Sequence, residues 1–349
     1  MSTQVWHARV SRAALASLAV ISALAGNACV GHHTIARRDA DGLAPGIAWF
    51  SPPARSDALT LDRWRASVGP PVVISKASDR PATSRKLLLV SWNTALGAGD
   101  VVRFVTDLRR RVPDAPIVLL LQEVYRAGPE VPSALSESAL FASRLRGQRE
   151  DGGRDEIESI ASNLGMSAYY VPSMRNGSPQ FSDEDRGNAI LSTLPLSNLS
   201  AFELPFERQR RVAVGATITG WGPATVPWHL RVVSAHLDNM AGPKRLWLAA
   251  EFGRVRQTRG LLSQFSDANP LVVGGDFNTW FGFADQAFRE AAKAFPQTRV
   301  TDRRATFRGL LRLDHVFFRL PDGWSAEFHR ADLAYGSDHY PLIATVTLP

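Results

Sequence analysis

Two short stretches of the chain contain no polar side chain: Leu87-Leu88-Leu89-Val90 and Ile117-Val118-Leu119-Leu120-Leu121. Apolar runs of four or five residues bounded by turn-formers are too short for buried helices and read as strands buried in a sheet. Further strands are predicted near Tyr169–Val171 and at Ala189–Ser192, Val212–Ile218, Leu230–Ala235, Leu271–Val273, Leu313–Phe318 and Leu342–Thr347. Val101–Arg111 has helical spacing through Val101, Phe104, Val105 and Leu108, and it stops before Pro113. A second helix is predicted over Asp155–Asn163, closed by Gly165. A longer one runs from about Lys244 to Phe265, its core face marked by Leu246, Ala249, Phe252, Leu261, Leu262 and Phe265. Strands outnumber helices and several follow one another directly, which predicts an α/β chain with mixed sheets rather than a doubly wound one.

The flanks differ in character. His7, Arg9 and Arg12 precede an apolar run, Ala13–Ala25, and Ala23-Leu24-Ala25 supplies the small residues of an export cleavage site. The run is short for a bilayer span, which takes ~20 apolar residues, so residues 1–28 read as a signal peptide, with an uncleaved anchor as the other reading. Gly26-Asn27-Ala28-Cys29 resembles a bacterial lipoprotein cleavage site, with Gly26 where Leu is usual. The expected location is therefore periplasmic, envelope-attached or secreted, with membrane association through a lipidated Cys29 or the N-terminal segment. Residues 29–84 are rich in Pro, Gly and Ser and read as a lead-in or tether. Residues 85–349 read as one domain, and a hydrophobic fraction of 45% allows it a sizeable core. Cys29 is the single cysteine, which excludes an intrachain disulfide framework and a multi-cysteine zinc site. The net charge of +7 favours anionic partners, or simply a soluble surface.

Polar clusters sit where predicted strands end: Trp92-Asn93, Gln122-Glu123, His236-Leu237-Asp238, Asp276-Phe277-Asn278 and Ser337-Asp338-His339. Chain leaving a core at such points can present side chains to a cleft. Taken singly, Glu123 reads equally as a loop cap, Asp276 and Asn278 as an Asx-turn and His236 as an edge histidine. Asp314 is different, because an acid between Leu313 and Val316-Phe317-Phe318 must find a partner or destabilise the fold. Oxygen ligands with scattered histidine suit Mg2+ or Mn2+ better than Zn2+.

In this order the clusters resemble the endonuclease/exonuclease/phosphatase superfamily, with Gly-Asp-Phe-Asn (275–278) and Ser-Asp-His (337–339) the most specific parts. The likeness covers about Leu87–Leu348. It implies a four-layer α/β sandwich, two mixed β-sheets packed face to face and flanked by helices. It also implies that Glu123, Asn93 and Asp338 hold the metal against a phosphate oxygen. Asp276 would orient or deprotonate the attacking water, and Asn278 would donate to the phosphate. Asp314 would accept from His339 and fix its tautomer. His236 would act near the leaving oxygen, as general acid or phosphate ligand.

A histidine at 236 resembles the deoxyribonuclease I, sphingomyelinase and 5-phosphatase branches, whereas abasic-site endonucleases usually place tyrosine there. Thr94 stands where an aliphatic residue commonly follows the Asn. Arg186 and Asn188 are candidate substrate contacts, or simply the start of an edge strand. Trp280, Phe281 and Phe283 are read as core, with base stacking or lipid insertion as the alternative. The runs Arg109–Arg111, Arg208–Arg211 and Arg303-Arg304 are read as solvated faces. The implied activity is metal-dependent hydrolysis of a phosphodiester in nucleic acid or phospholipid. The alternatives are a phosphomonoesterase on a small metabolite or inositol phosphate, and a non-catalytic module binding a phosphorylated ligand. No protein partner is implied.

Overall fold

The two apolar runs form neighbouring parallel strands in the middle of one of two stacked sheets. The computed structural model describes residues 34–38, 45–53, 55–76, 84–132, 153–176, 183–222, 226–241, 250–265 and 270–348. The predicted leader, Cys29 and the 244–249 part of the long helix lie outside these. The strands are β1 (Ala36–Arg38), β2 (Ala48–Ser51), β3 (Val72–Ile74), β4 (Lys86–Asn93), β5 (Ile117–Ala127), β6 (Ser167–Asn176) and β7 (Glu184–Ser192). They continue as β8 (Leu196–Glu203), β9 (Val212–Trp221), β10 (Pro227–His236), β11 (Leu271–Asp276), β12 (Asp314–Arg319), β13 (Ser325–Arg330) and β14 (Leu342–Thr347). The helices are α1 (Arg55–Arg65), α2 (Val101–Arg111), α3 (Ile157–Leu164), α4 (Ala250–Leu262) and α5 (Gln286–Ala294).

One sheet runs β1-β2-β8-β9-β10-β11-β12 and the other β13-β14-β4-β5-β7-β6-β3, seven strands in each. Both are mixed: β4 with β5 and β10 with β11 are parallel, while most other neighbours are antiparallel. Period-two alternation divides the core. Leu87, Leu89, Val118, Leu120, Val232, Val272 and Val316 face the other sheet. Leu88, Val90, Ile117 and Leu119 face outward onto Phe104, Leu108, Ile157 and Ile160 of α2 and α3. Val233, Val273 and Phe317 face outward onto Val255 of α4 and Ala287, Ala291 and Phe295 of α5. These are the four layers: helix, sheet, sheet, helix. A strand with apolar cover on both sides needs no polar face, which is why β4 and β5 read as unbroken apolar runs.

The boundaries differ from the sequence expectation in places. α2 spans the predicted residues, and α3 ends on Gly165 in the left-handed conformation (φ 64°). In α4, Leu261 is buried but Phe252 is 57% exposed, so Phe252 does not belong to its core face. Residues 29–84, expected as a lead-in with little structure of its own, contribute β1, β2, α1 and β3. β2 pairs in parallel with β8, and β3 pairs with β6 at the far edge of the other sheet. β8, β13 and α5 escaped the sequence reading. β8 carries exposed Ser197 and Asn198, β13 has exposed polar residues at Ser325, Glu327 and His329, and α5 is short.

One buried ion cluster ties the early segment to the sandwich. The Glu203 carboxylate, fully buried at the end of β8, accepts from Arg210, from Arg65 of α1 and from Ser51 of β2. Burial alone would raise its pKa, but the two guanidinium groups outweigh this and hold it at about 2. Glu203→Ala would leave the buried Arg210 and the half-buried Arg65 without this acid and should cost about 3–5 kcal/mol in urea denaturation. A carboxylate with a depressed folded midpoint stabilises fully above its ordinary range, and that contribution is lost as pH falls toward about 2. The variant's deficit should therefore shrink in strong acid.

Candidate active site

Along the inner faces the residue type changes in layers. Below sit Leu89, Leu120, Val232 and Val272. Next come Ser91, Gln122, Ser234 and Gly274, and then Asn93, His236 and Asp276 at the carboxyl ends of β4, β10 and β11. The middle layer bridges the sheets: Gln122 Nε2 donates to Ser234 Oγ at 2.9 Å, and Ser234 Oγ donates to the Leu121 carbonyl at 2.9 Å. Gly274 permits this approach, since a Cβ there would lie 2.9 Å from both Ser91 Cβ and Leu120 Cδ1. A Cβ on Gly275 would collide with the Ala235 carbonyl. Both glycines before Asp276 are therefore demanded by packing.

Strand register then sets the site. His236 opposes Asp276 across β10 and β11, and Asp276 opposes Asp314 across β11 and β12. All three are buried, as are Asn93, Asn278 and His339. The Asp276 carboxylate accepts from Asn93 Nδ2 at 3.0 Å and from the Asn278 backbone N–H at 2.9 Å. Its Oδ2 lies 3.5 Å from His236 Nε2 and 3.8 Å from His339 Nε2. The Asx-turn expected at Asp276 is present, through the Asn278 N–H. His339 Nδ1 donates to Asp314 Oδ2 at 2.8 Å. Asp276, Asp314 and His339 bring ligand-type atoms within 4.8 Å of one another.

The loop that carries Asp338 and His339 is pinned to the end of β4. Trp92 Nε1 donates to the His339 carbonyl at 2.9 Å, and Ser337 Oγ donates to the Asn93 carbonyl at 2.7 Å. Phe307 packs on the His339 ring, with centroids 4.9 Å apart. Non-glycine residues in the left-handed region gather around this site: Ala95, Leu96, Glu123, Asn278, Arg308 and Tyr335. Such conformations cost of order 1–3 kcal/mol each and persist where the surroundings impose them. Glu123 is the clearest case. It sits in the β5 bulge between Leu121 and Val124, which turns it out of the strand's alternation.

Glu123 stands apart from the acid–imidazole triple, in a small pocket with Ser173, Met174, Arg186, Asn188, Arg211 and His236. Among the described residues no hydrogen bond or ion pair engages its carboxylate. A half-buried carboxylate held in strained backbone, interacting with the Arg186 charge but with no hydrogen bond of its own, fits a cation ligand. Asp338 is more open, 3.6 Å from Arg308 and 3.9 Å from His339 Nε2. Asn278 gives one amide N–H to the Leu237 carbonyl, and Asn188 donates to the Val212 carbonyl, joining β7 to β9. Arg186 is buried, with Met174 Sδ at 3.2 Å from Nη2.

Three features were invisible in the sequence. Arg210 and Arg211, read as part of a solvated face, are 1% and 4% exposed, and Arg211 Nη1 lies 3.1 Å from His236 Nδ1. Asp238 accepts from the backbone N–H groups of Arg208 and Gln209, which holds that loop. Trp280 and Phe281, read as core, are 42% and 49% exposed, and only Phe283 packs inward, against Phe288 and His315. They were misread because they follow a buried motif directly, in a loop that the 3-10 turn Gly282–Ala284 carries to the surface.

The two histidines have opposite electrostatic surroundings. Burial lowers the His236 pKa well below its ordinary value, and Arg211, Arg186 and His339 lower it further. Burial would lower His339 too, but the Asp314 carboxylate outweighs it and raises the imidazole to about 10. Burial, then Asp314, raises Asp276 to about 7, against the lowering pull of His339. A raised histidine midpoint means that the imidazolium survives as pH rises through its ordinary range and is lost only near 10. Asp314→Asn should bring that midpoint, followed by NMR of the metal-free chain, below the ordinary histidine value of ~6.5. The same change should lower kcat by ~10²-fold or more.

Known proteins resemble this chain in sequence or in fold. A UPF0294 protein of Vibrio vulnificus (strain YJ016) is 33% identical over 124 residues, 34% of this chain and 40% of the relative. Another, from Vibrio parahaemolyticus, is 36% identical over 91 residues, 25% of this chain and 31% of its own. The chain thus spans two fifths or less of these two curated relatives. Among solved structures, an endonuclease/exonuclease/phosphatase from Beutenbergia cavernae superposes with a TM-score of 0.55 at 18% identity, covering 76% of this chain and 72% of that one. It shares the fold. The sequence profile of the endonuclease/exonuclease/phosphatase family matches residues 90–339, from the end of the first apolar run to His339, and the chain belongs to that family.

Proposed function

We propose that this chain is an exported phosphodiesterase that hydrolyses a P–O bond by in-line attack of water, with Mg2+ or Mn2+ bound. Family membership carries the reaction class, metal-dependent hydrolysis of phosphoester bonds. The observation that carries the proposal for this chain is the buried His339–Asp314 pair beside Asp276. It supplies a carboxylate and a protonated imidazole facing the same point. Glu123, Asn93 and Asp338 would hold a divalent cation, which when bound would offset charge developing on a phosphate oxygen.

The chain's own groups do the rest. Asp276, oriented by Asn93 and the Asn278 N–H, accepts the proton of the attacking water. Its raised pKa places it near neutrality, where a base is strongest while still ionised. His339, held by Asp314, presents Nε2–H to a phosphate oxygen and offsets its growing charge. The free amide N–H of Asn278 and the Arg186 guanidinium donate to the phosphate from the other side.

Phospholipid is the substrate class favoured by the rim. Trp280 and Phe281 project from the loop after Asn278. Leu310, 80% exposed, tips the turn whose Phe307 packs on His339. Exposed large apolar side chains beside a phosphate site suit insertion into a bilayer surface. The second reading is a nuclease, with the same aromatics stacking bases. No helix among the described residues is long and apolar enough to cross a membrane, so contact with lipid would come through this rim or the N-terminal segment.

The purified chain should release headgroup from phosphatidylcholine or sphingomyelin vesicles with Mg2+ or Mn2+, and EDTA should abolish turnover. Asp276→Ala should lower kcat at least ~10²-fold. Turnover that survives EDTA would overturn the proposal, and turnover of DNA or inositol phosphates alone would move the substrate assignment. Replacing Trp280 and Phe281 by Ala should slow hydrolysis of vesicles while leaving a soluble phosphodiester unaffected. Cell fractionation should find the full-length protein outside the cytoplasm.

A further inference from the structure

His236 and His339 both bring Nε2 near Asp276 Oδ2, at 3.5 and 3.8 Å, yet their back nitrogens meet opposite charges. Behind His339 stands Asp314. Behind His236 stands Arg211, whose Nη1 is 3.1 Å from Nδ1. A guanidinium carries five N–H groups, has no acceptor and does not deprotonate in a protein. The contact therefore has one polarity: Arg211 donates and Nδ1 accepts. The imidazole proton must then sit on Nε2, which points at Asp276 Oδ2 3.5 Å away. An imidazolium at this position would set N–H against N–H in a buried site.

The surrounding structure holds Arg211 in that pose. Its Nη2 donates to Gln209 Oε1 at 2.7 Å. The Asp238 carboxylate fixes the Gln209 and Arg208 backbone N–H groups at 2.8 and 2.9 Å. Arg210 is committed to Glu203 and to the Pro172 and Ser173 carbonyls. The charged and titratable groups facing His236 are Arg211 before β9, Arg186 on β7, Glu123 on β5, Asp276 on β11 and His339 before β14.

We infer that Arg211 is a positioning residue that locks His236 as a neutral Nε2–H donor to the phosphate. This rests on the proposed phosphoesterase reading for its meaning, though its test does not. Of the two roles the sequence left open for His236, the geometry selects the phosphate ligand over the general acid. The substrate-side group of one imidazole is thereby fixed by a cation and that of the other by an anion.

The test is long-range 1H–15N NMR of the full chain, metal-free and labelled at histidine, with His236 assigned by His236→Asn. His236 should show one protonated nitrogen, Nε2, with no change from about pH 5.5 to about pH 9, where an ordinary histidine titrates. Arg211→Met should make His236 titrate within that range or populate the Nδ1–H tautomer. Arg211→Lys, which can also only donate, should keep the original pattern. A doubly protonated or Nδ1–H His236 in the unmodified chain near pH 7 would overturn the inference. So would an Arg211→Met spectrum identical to it. Because the unmodified chain is itself decisive, the test stands even if Arg211→Met does not fold. Since neither metal nor substrate is present, the result is independent of whether the chain turns over a phosphodiester.

Discussion

Asp276 and Asp314 occupy opposed positions on neighbouring strands, both buried, with their carboxylates on the same face. Two acids so placed cannot both ionise cheaply unless a cation lies between them. His339 meets that need, with Nδ1 on Asp314 and Nε2 toward Asp276. Much of the local architecture delivers that imidazole. Trp92 anchors its carbonyl, Ser337 ties its loop to β4, and Phe307 covers its ring. The four-layer sandwich acts as the frame that brings β11, β12 and the approach to β14 to one edge.

The frame achieves this through a graded interior. Each inner face runs from aliphatic residues through a layer of Ser, Gln and Gly to the polar ends. The middle layer is bonded across the sheets by Gln122 and Ser234. That bridge pairs Gln122 Nε2 and Ser234 Oγ in the buried layer, as buried polar atoms require, while among the described residues Ser91 Oγ and Gln122 Oε1 there have no hydrogen-bond partner. It also closes the distance between the sheets, which is what excludes a Cβ from Gly274. The cleft is therefore rigid at its floor.

The legible parts of the sequence were those where one physical demand dominates locally. Leu87–Val90 and Ile117–Leu121 had to be covered on both faces, and α2 announced itself through Val101, Phe104, Val105 and Leu108. Asp314 stood out because an acid in an apolar strand requires a partner. The strand-end clusters drew Asn93, Glu123, His236, Asp276 and His339 to one edge of the sandwich. The reading failed where residues serve a distant part of the chain. Segment 29–84 looks like a tether from its Pro and Gly content, but β2 pairs with β8 and Arg65 meets Glu203, 138 positions away. The arginines at 210 and 211 look solvated in sequence, because their partners lie on other strands.

By itself, then, the sequence determined the main strands and helices of a mixed α/β chain, through periodicity, and the family, through motifs at strand ends; both are local properties. The layered sandwich came as what that resemblance implies. Only the tertiary structure decided which charge stands behind each histidine, which aromatic residues reach solvent and that the early segment completes both sheets. These depend on register and on contacts between residues far apart in the chain, and no local pattern encodes the distance between Arg211 and His236. The same two residues, histidine at 236 and histidine at 339, are indistinguishable in sequence. A carboxylate behind one and a guanidinium behind the other give them different protons to hold.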